Sequence, residues 1–96
     1  MNTGIKEQVL AEIIALAEKN SIEKLVLFGS RARGDYRRTS DIDLAASGGN
    51  VAEFVMDLNE ETATLLKFDV VDLGRSVQPA LIESIQREGK ILYEKI

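Results

Sequence analysis

Hydrophobic residues along the chain follow two patterns, one typical of amphipathic helices and one typical of short buried strands. Apolar residues recurring every three to four positions predict helices, which cover residues 4–19, 50–66 and 77–88. Short apolar runs bounded by polar or glycine residues predict strands, which cover residues 24–28, 41–46, 68–73 and 91–93. This alternation predicts an α/β (α+β) fold, a small mixed β-sheet with the helices packed on one face.

The residues between these segments supply helix caps and one long connection. Asn2 or Thr3 is predicted to cap the first helix, and Ser76 the last one, with Pro79 in its first turn. Residues 29–40 are predicted to form a loop with room for one helical turn.

Composition narrows the class of protein and the chemistry open to it. The 96 residues, 45% hydrophobic and 29% charged, predict a single domain over 1–96. No apolar run approaches the length of a membrane span and no signal peptide is recognisable, so a cytoplasmic location is expected. Cysteine and histidine are absent, so disulfides, a thiol nucleophile and a histidine base are excluded. Any bound metal must then be a hard cation held by carboxylates.

The charge of the chain is acidic overall but uneven. Twelve basic and sixteen acidic residues give a net charge of −4, which argues against an extended nucleic-acid surface. Four of the six arginines nevertheless fall within residues 31–38, namely Arg31, Arg33, Arg37 and Arg38. One arginine cluster on an acidic protein favours a small anionic ligand.

The predicted strand 24–28 runs directly into Gly29 and Ser30. Glycine allows close approach of the backbone to a ligand, and a helical turn after it would point N–H groups at an anion. Ser30 adds a hydroxyl donor, and Arg31 or Arg33 is placed to contact a phosphate. The dipeptide is common, however, and a plain strand-to-helix turn with solvated arginines is the more frequent explanation for Gly-Ser alone.

Aspartates recur inside the predicted strands. Asp41 and Asp43 are two residues apart, so they share one face of a strand and can hold a divalent cation. Two solvated aspartates are the alternative, although like charges on one strand face repel each other. If Val70 faces the core, Asp69 shares the open face with this pair, and Asp72 points to the other face or lies near the following helix.

The combined pattern of these segments is more specific than its parts. The stretches LFGSRARG, SDIDLA and FDVVDL resemble the minimal nucleotidyltransferase family of the DNA polymerase β superfamily, and the resemblance extends over nearly the whole chain. It implies the polymerase β palm-like fold and NMP transfer from an NTP, most simply ATP, to a hydroxyl. It also implies triphosphate binding by Gly29 and Ser30, and two Mg²⁺ (or Mn²⁺) ions held by Asp41, Asp43 and Asp69, which are also the catalytic carboxylates.

The same resemblance implies a partner. Members of that family act as antitoxins beside a small helical HEPN-domain protein, and they can adenylylate a tyrosine on it. A hetero-complex or a weak homodimer is the oligomeric state expected. The alternative function is a catalytically silent nucleotide-binding module that neutralises or scaffolds its partner by contact, and a purely structural subunit is a third hypothesis. The sequence does not identify the nucleotide base or the acceptor.

Overall fold

Four helices and four strands alternate along the chain in this computed structural model, which describes residues 2–96. The helices are α1 (Glu7–Lys19), α2 (Ser30–Arg33), α3 (Val51–Glu61) and α4 (Pro79–Glu88). The strands are β1 (Lys24–Phe28), β2 (Ile42–Ser47), β3 (Phe68–Asp72) and β4 (Lys90–Glu94). The strand predicted over 24–28 is confirmed at both ends, and the other three agree to within one residue. α2 is the helical turn predicted inside the loop.

The strands form one sheet in the order β3-β2-β1-β4. β1 is antiparallel to both β2 and β4, whereas β2 and β3 are parallel and are joined through α3. The sheet is therefore mixed, and the predicted α/β class is confirmed. This topology brings the end of β1 and the beginnings of β2 and β3 to the same edge of the sheet.

The main core lies between one face of the sheet and helices α1 and α3. Leu25 and Leu27 of β1 and Leu44 of β2 contribute side chains that are fully buried, together with Ile13 of α1 and Phe54 of α3. Alternate residues of each strand supply this face, as a pleated strand requires. The predicted packing of helices on one face holds for α1 and α3.

The prediction that every helix packs on that same face is wrong for α4. Val26, Phe28 and Ala45 point to the other face of the sheet, where they form a second buried cluster with Ile85 of α4. The reason is that β1 is apolar at consecutive positions, so both of its faces must be covered. α4 therefore lies over the face of the sheet that also carries Asp43.

The first and last helices begin later than predicted. α1 begins at Glu7, and the Thr3 hydroxyl instead accepts a hydrogen bond from the Ile5 N–H in the turn before it. α4 begins at Pro79, and Gln78, not Ser76, occupies the cap position with φ −61° and ψ 136°. Proline disfavours helical geometry in the residue before it, so this helix cannot start further upstream.

The second long helix ends five residues earlier than the predicted boundary at 66. α3 ends at Glu61, and Thr62 adopts extended backbone angles while its hydroxyl donates to the Leu58 carbonyl.

Within residues 2–96 no helix is both long and apolar enough to cross a bilayer.

Candidate functional site

Three of the predicted site residues, Asp41, Asp43 and Asp69, lie near the point where β1 ends and where β2 and β3 begin. Asp43 lies opposite Phe28, the residue before Gly29, on one side and opposite Asp69 on the other. Residues paired in register on neighbouring strands point to the same face, and such strands are about 4.8 Å apart. Asp43 and Asp69 are therefore adjacent, and Asp41 lies immediately before the first residue of β2.

The structure separates Asp69 from Asp72 as the strand-face argument predicts. Val70 packs against the main core, so Asp69 points to the opposite face, which is the face of Asp43. Asp72 pairs in register with Ala46 and accepts a hydrogen bond of 2.9 Å from the Gly74 N–H. Asp72 is thus engaged in the turn after β3, away from the other two carboxylates.

The pKa of Asp43 responds to the charges of the other residues of the site. Partial burial raises its pKa above the ordinary value, and the negative charges of Asp69 and Asp41 raise it further. The cations of Arg33 and Arg31 act in the opposite direction and do not cancel the increase. A carboxylate destabilised by burial and by two neighbouring carboxylates is one that a divalent cation would favour.

The donor chemistry fits Mg²⁺ or Mn²⁺, because every candidate ligand is a hard carboxylate oxygen. No three acidic side chains in the described part of the chain converge into a ready-made metal cluster. Asp41 and Asp69 are exposed, so their side chains have room to turn toward a cation beside Asp43. Asp41, Asp43 and Asp69 are the residues that would hold it.

Gly29 is required by two features of its surroundings. Its backbone has φ 75° and ψ −159°, a region open almost only to glycine. A Cβ at this position would also collide with the carboxylate of Asp43. The glycine therefore lets β1 end directly against the carboxylate, and Ser30 follows as the first residue of α2, half-buried beside it.

Arg31 does not lie where the sequence prediction put it. The side chain is 2% exposed and donates to the carbonyls of Ser40 (2.9 and 3.1 Å) and Thr3 (3.0 Å). Its guanidinium carbon also lies 5.1 Å from the ring centre of Tyr36. Its donors are directed at backbone carbonyls, so we do not assign Arg31 to the nucleotide, contrary to the prediction from sequence.

Arg33, by contrast, lies at the surface next to Gly29. Its guanidinium donates to Asp35 at 3.3 Å and to Glu88 at 3.1 Å. The same oxygen of Glu88 accepts a hydrogen bond of 3.2 Å from the Gly29 N–H. Glu88 was not predicted from the sequence, because it lies 59 residues from Gly29 and belongs to no local motif.

The sequence of the chain matches a known family of proteins. Residues 11–96 match the family model described as polymerase beta, nucleotidyltransferase. The chain belongs to the polymerase beta nucleotidyltransferase family. This confirms the resemblance drawn from the Gly-Ser and Asp-x-Asp segments, and it confirms the prediction that the protein is a nucleotidyltransferase.

This nucleotidyltransferase is also similar to a named protein and to two solved structures. It is 34% identical to a Methanocaldococcus jannaschii protein named "Putative protein adenylyltransferase MJ0604", over 92% of this chain and 98% of that one. A crystal structure of a toxin-antitoxin with AMP-PNP matches with a TM-score of 0.72 and 32% identity, covering 90% of this chain and 73% of the other. The toxin-antitoxin MntA-HepT structure matches with a TM-score of 0.66 and 28% identity, covering 94% and 74%.

Proposed function

We propose that this nucleotidyltransferase moves a nucleoside monophosphate, most simply AMP from ATP, to a hydroxyl group in a reaction that depends on Mg²⁺. The observation that carries the proposal is the position of Asp43, which adjoins Asp69 across the sheet and Gly29 at the end of β1. Carboxylates for cations and a Gly-Ser turn for phosphates thus meet at one edge. The match to a structure with AMP-PNP supports a nucleotide as the substrate.

Each residue of the site has a role that follows from its chemistry. Asp41 and Asp43 would hold two Mg²⁺ ions, one of them shared with Asp69. When bound, such ions neutralise the triphosphate and lower the pKa of the attacking hydroxyl. Gly29 and Ser30 donate to the triphosphate through backbone N–H groups and the serine hydroxyl.

The proposed transfer needs no histidine to accept the proton of the attacking hydroxyl. The acceptor oxygen attacks the α-phosphorus, the bond from that phosphorus to the bridging oxygen breaks, and pyrophosphate leaves. Asp69 accepts the hydroxyl proton, since it is exposed and stands beside Asp43. Arg33, the exposed arginine next to Gly29, contacts the phosphates.

We propose a protein as the acceptor, specifically a tyrosine on a HEPN-type toxin that this chain neutralises. Two matched structures are of toxin-antitoxin complexes, and a curated relative carries the name of a protein adenylyltransferase. A groove of about 440 Å³ adjoins Asp41 and is lined by Leu65, Leu66 and Lys67. Leu65 is fully exposed there and offers an apolar contact for an incoming protein segment.

Intact-mass spectrometry of the chain co-expressed with its partner tests the proposal. With Mg·ATP the partner should gain about 329 Da, one AMP group, or a small number of such groups. The gain should disappear in the Asp41→Asn/Asp43→Asn double variant and persist in Asp72→Asn, which removes a carboxylate outside the site. A partner that stays unmodified yet is still neutralised by the double variant would instead identify a binding module.

A further inference from the structure

We propose that Glu88 competes with the triphosphate for the donors of Gly29 and Arg33, and so sets the affinity of the site for nucleotide. The inference rests on the proposed function, because it takes these donors to be the ones that bind phosphate. Glu88 is the last residue of α4, the helix that covers the face of the sheet carrying Asp43. No sequence motif and no proposed catalytic role involves it.

The contacts of Glu88 are those that a phosphate oxygen would make. One carboxylate oxygen accepts from the Gly29 N–H at 3.2 Å and from Arg33 Nη1 at 3.1 Å. The Glu88 side chain is only 14% exposed, whereas that of Arg33 is 45% exposed, so the carboxylate is largely covered while the guanidinium stays open to solvent. Two donors that converge on one anionic oxygen form the kind of site that also binds phosphate.

The position of Glu88 on its helix favours competition with phosphate, because Glu88 does not stabilise α4 itself. A negative charge in the last turn of a helix lies at the unfavourable end of the helix dipole. The contacts to Gly29 and Arg33 offset that cost, so Glu88 is held by the donors of the site and not by its own helix. When phosphate takes these donors, Glu88 must withdraw from them.

The opposite hypothesis is that Glu88 orients Arg33 for catalysis. The structure disfavours it, because Arg33 also donates to Asp35 at 3.3 Å and keeps that anchor when Glu88 is gone. The two hypotheses predict opposite changes in nucleotide affinity when the charge of Glu88 is removed. Competition predicts tighter nucleotide binding, whereas orientation predicts weaker binding.

Isothermal calorimetry on the Glu88→Gln variant of the full chain distinguishes them. Glutamine has the same shape and still accepts from both donors, so the fold is retained while the charge is lost. The matched control is Glu83→Gln, an exposed acid on the same helix. Mg·ATP and inorganic triphosphate are the two probes, and the second reports on phosphate contacts alone.

We expect Glu88→Gln to bind both probes about tenfold more tightly than wild type, the difference between a charged and a neutral acceptor on these donors. Glu83→Gln should leave both affinities unchanged. Equal or weaker binding by Glu88→Gln overturns the competition proposal while the proposed function stands. If neither probe binds wild type or variant, both proposals fail together.

Discussion

Replacing Gly29 with alanine should damage both the fold and the site, and the two effects can be measured separately. The backbone at Gly29 has φ 75° and ψ −159°, which costs a residue with a Cβ about 1–3 kcal/mol. The new methyl group would collide with the Asp43 carboxylate and push it from its preferred rotamer, adding about 0.5–1.5 kcal/mol. We expect Gly29→Ala to lose about 2–4 kcal/mol in total, or roughly 10–20 °C in Tm.

Gly34→Ala is the matched control for backbone strain alone. Gly34 also has a positive φ, 94°, with ψ 2°, at the end of the same short helix. Among the described residues, no atom lies within 4 Å of the position that its Cβ would take. This variant should therefore lose about 1–2 kcal/mol of stability without moving a carboxylate.

Thermal unfolding and Mg·ATP titration of the two variants together test the reasoning. Because Gly29→Ala displaces a proposed metal ligand, its Mg·ATP affinity should fall by at least about tenfold at a temperature where it is folded. Gly34→Ala should bind Mg·ATP as wild type does. Equal losses of affinity in both variants, or wild-type affinity in Gly29→Ala, would show that the contact between Gly29 and Asp43 does not govern the site.

Three further predictions concern single side chains. Asp69→Asn should abolish nucleotide transfer and leave much of the Mg·ATP binding, with Asp72→Asn as the mild control, and the reverse ranking in a pyrophosphate-release assay would contradict the strand-face argument. The raised pKa of Asp43 means that the metal-free folded state binds its proton more tightly than the unfolded state, so unfolding free energy falls as pH rises through that pKa. Asp43→Asn in EDTA should accordingly be more stable than wild type at neutral pH and equally stable in acid. Urea unfolding at both pH values measures this, and the opposite order would contradict the prediction. Arg31→Met should lose at least about 3 kcal/mol, because it leaves buried carbonyls without donors, whereas Arg33→Met should unfold with the same urea midpoint as wild type.

The strands were predictable from short apolar runs bounded by polar or glycine residues, and the shared face of the carboxylates was predictable from the period of two along a strand. The stretch 24–28 is a strand with the predicted bounds, and the parity of Asp69 relative to Val70 places it with Asp43. A side chain two positions along a strand always returns to the same face, whatever the rest of the molecule does. Local sequence is sufficient for that inference once one buried residue on the strand is identified.

The side of the sheet that α4 covers was not predictable in the same way. A helix with one apolar side is equally suited to either face, and only the consecutive apolar residues of β1 indicate that both faces need cover. The late start of α4, by contrast, has a local cause that is visible in the sequence. Proline at 79 excludes Gln78 from the helix, and this outweighs the capping preference of Ser76.

The arginine cluster shows where sequence stops being sufficient. Arg31 and Arg33 are two residues apart in the same short helix, yet one is buried and the other is exposed beside Gly29. Their environments are set by distant residues, since Thr3 accepts from Arg31 and Glu88 accepts from Arg33. The Ser40 carbonyl that Arg31 holds belongs to the residue immediately before Asp41. Arg31 therefore fixes the chain just ahead of the carboxylate pair, and a residue that contacts no substrate in the proposed reaction still determines the geometry of the site.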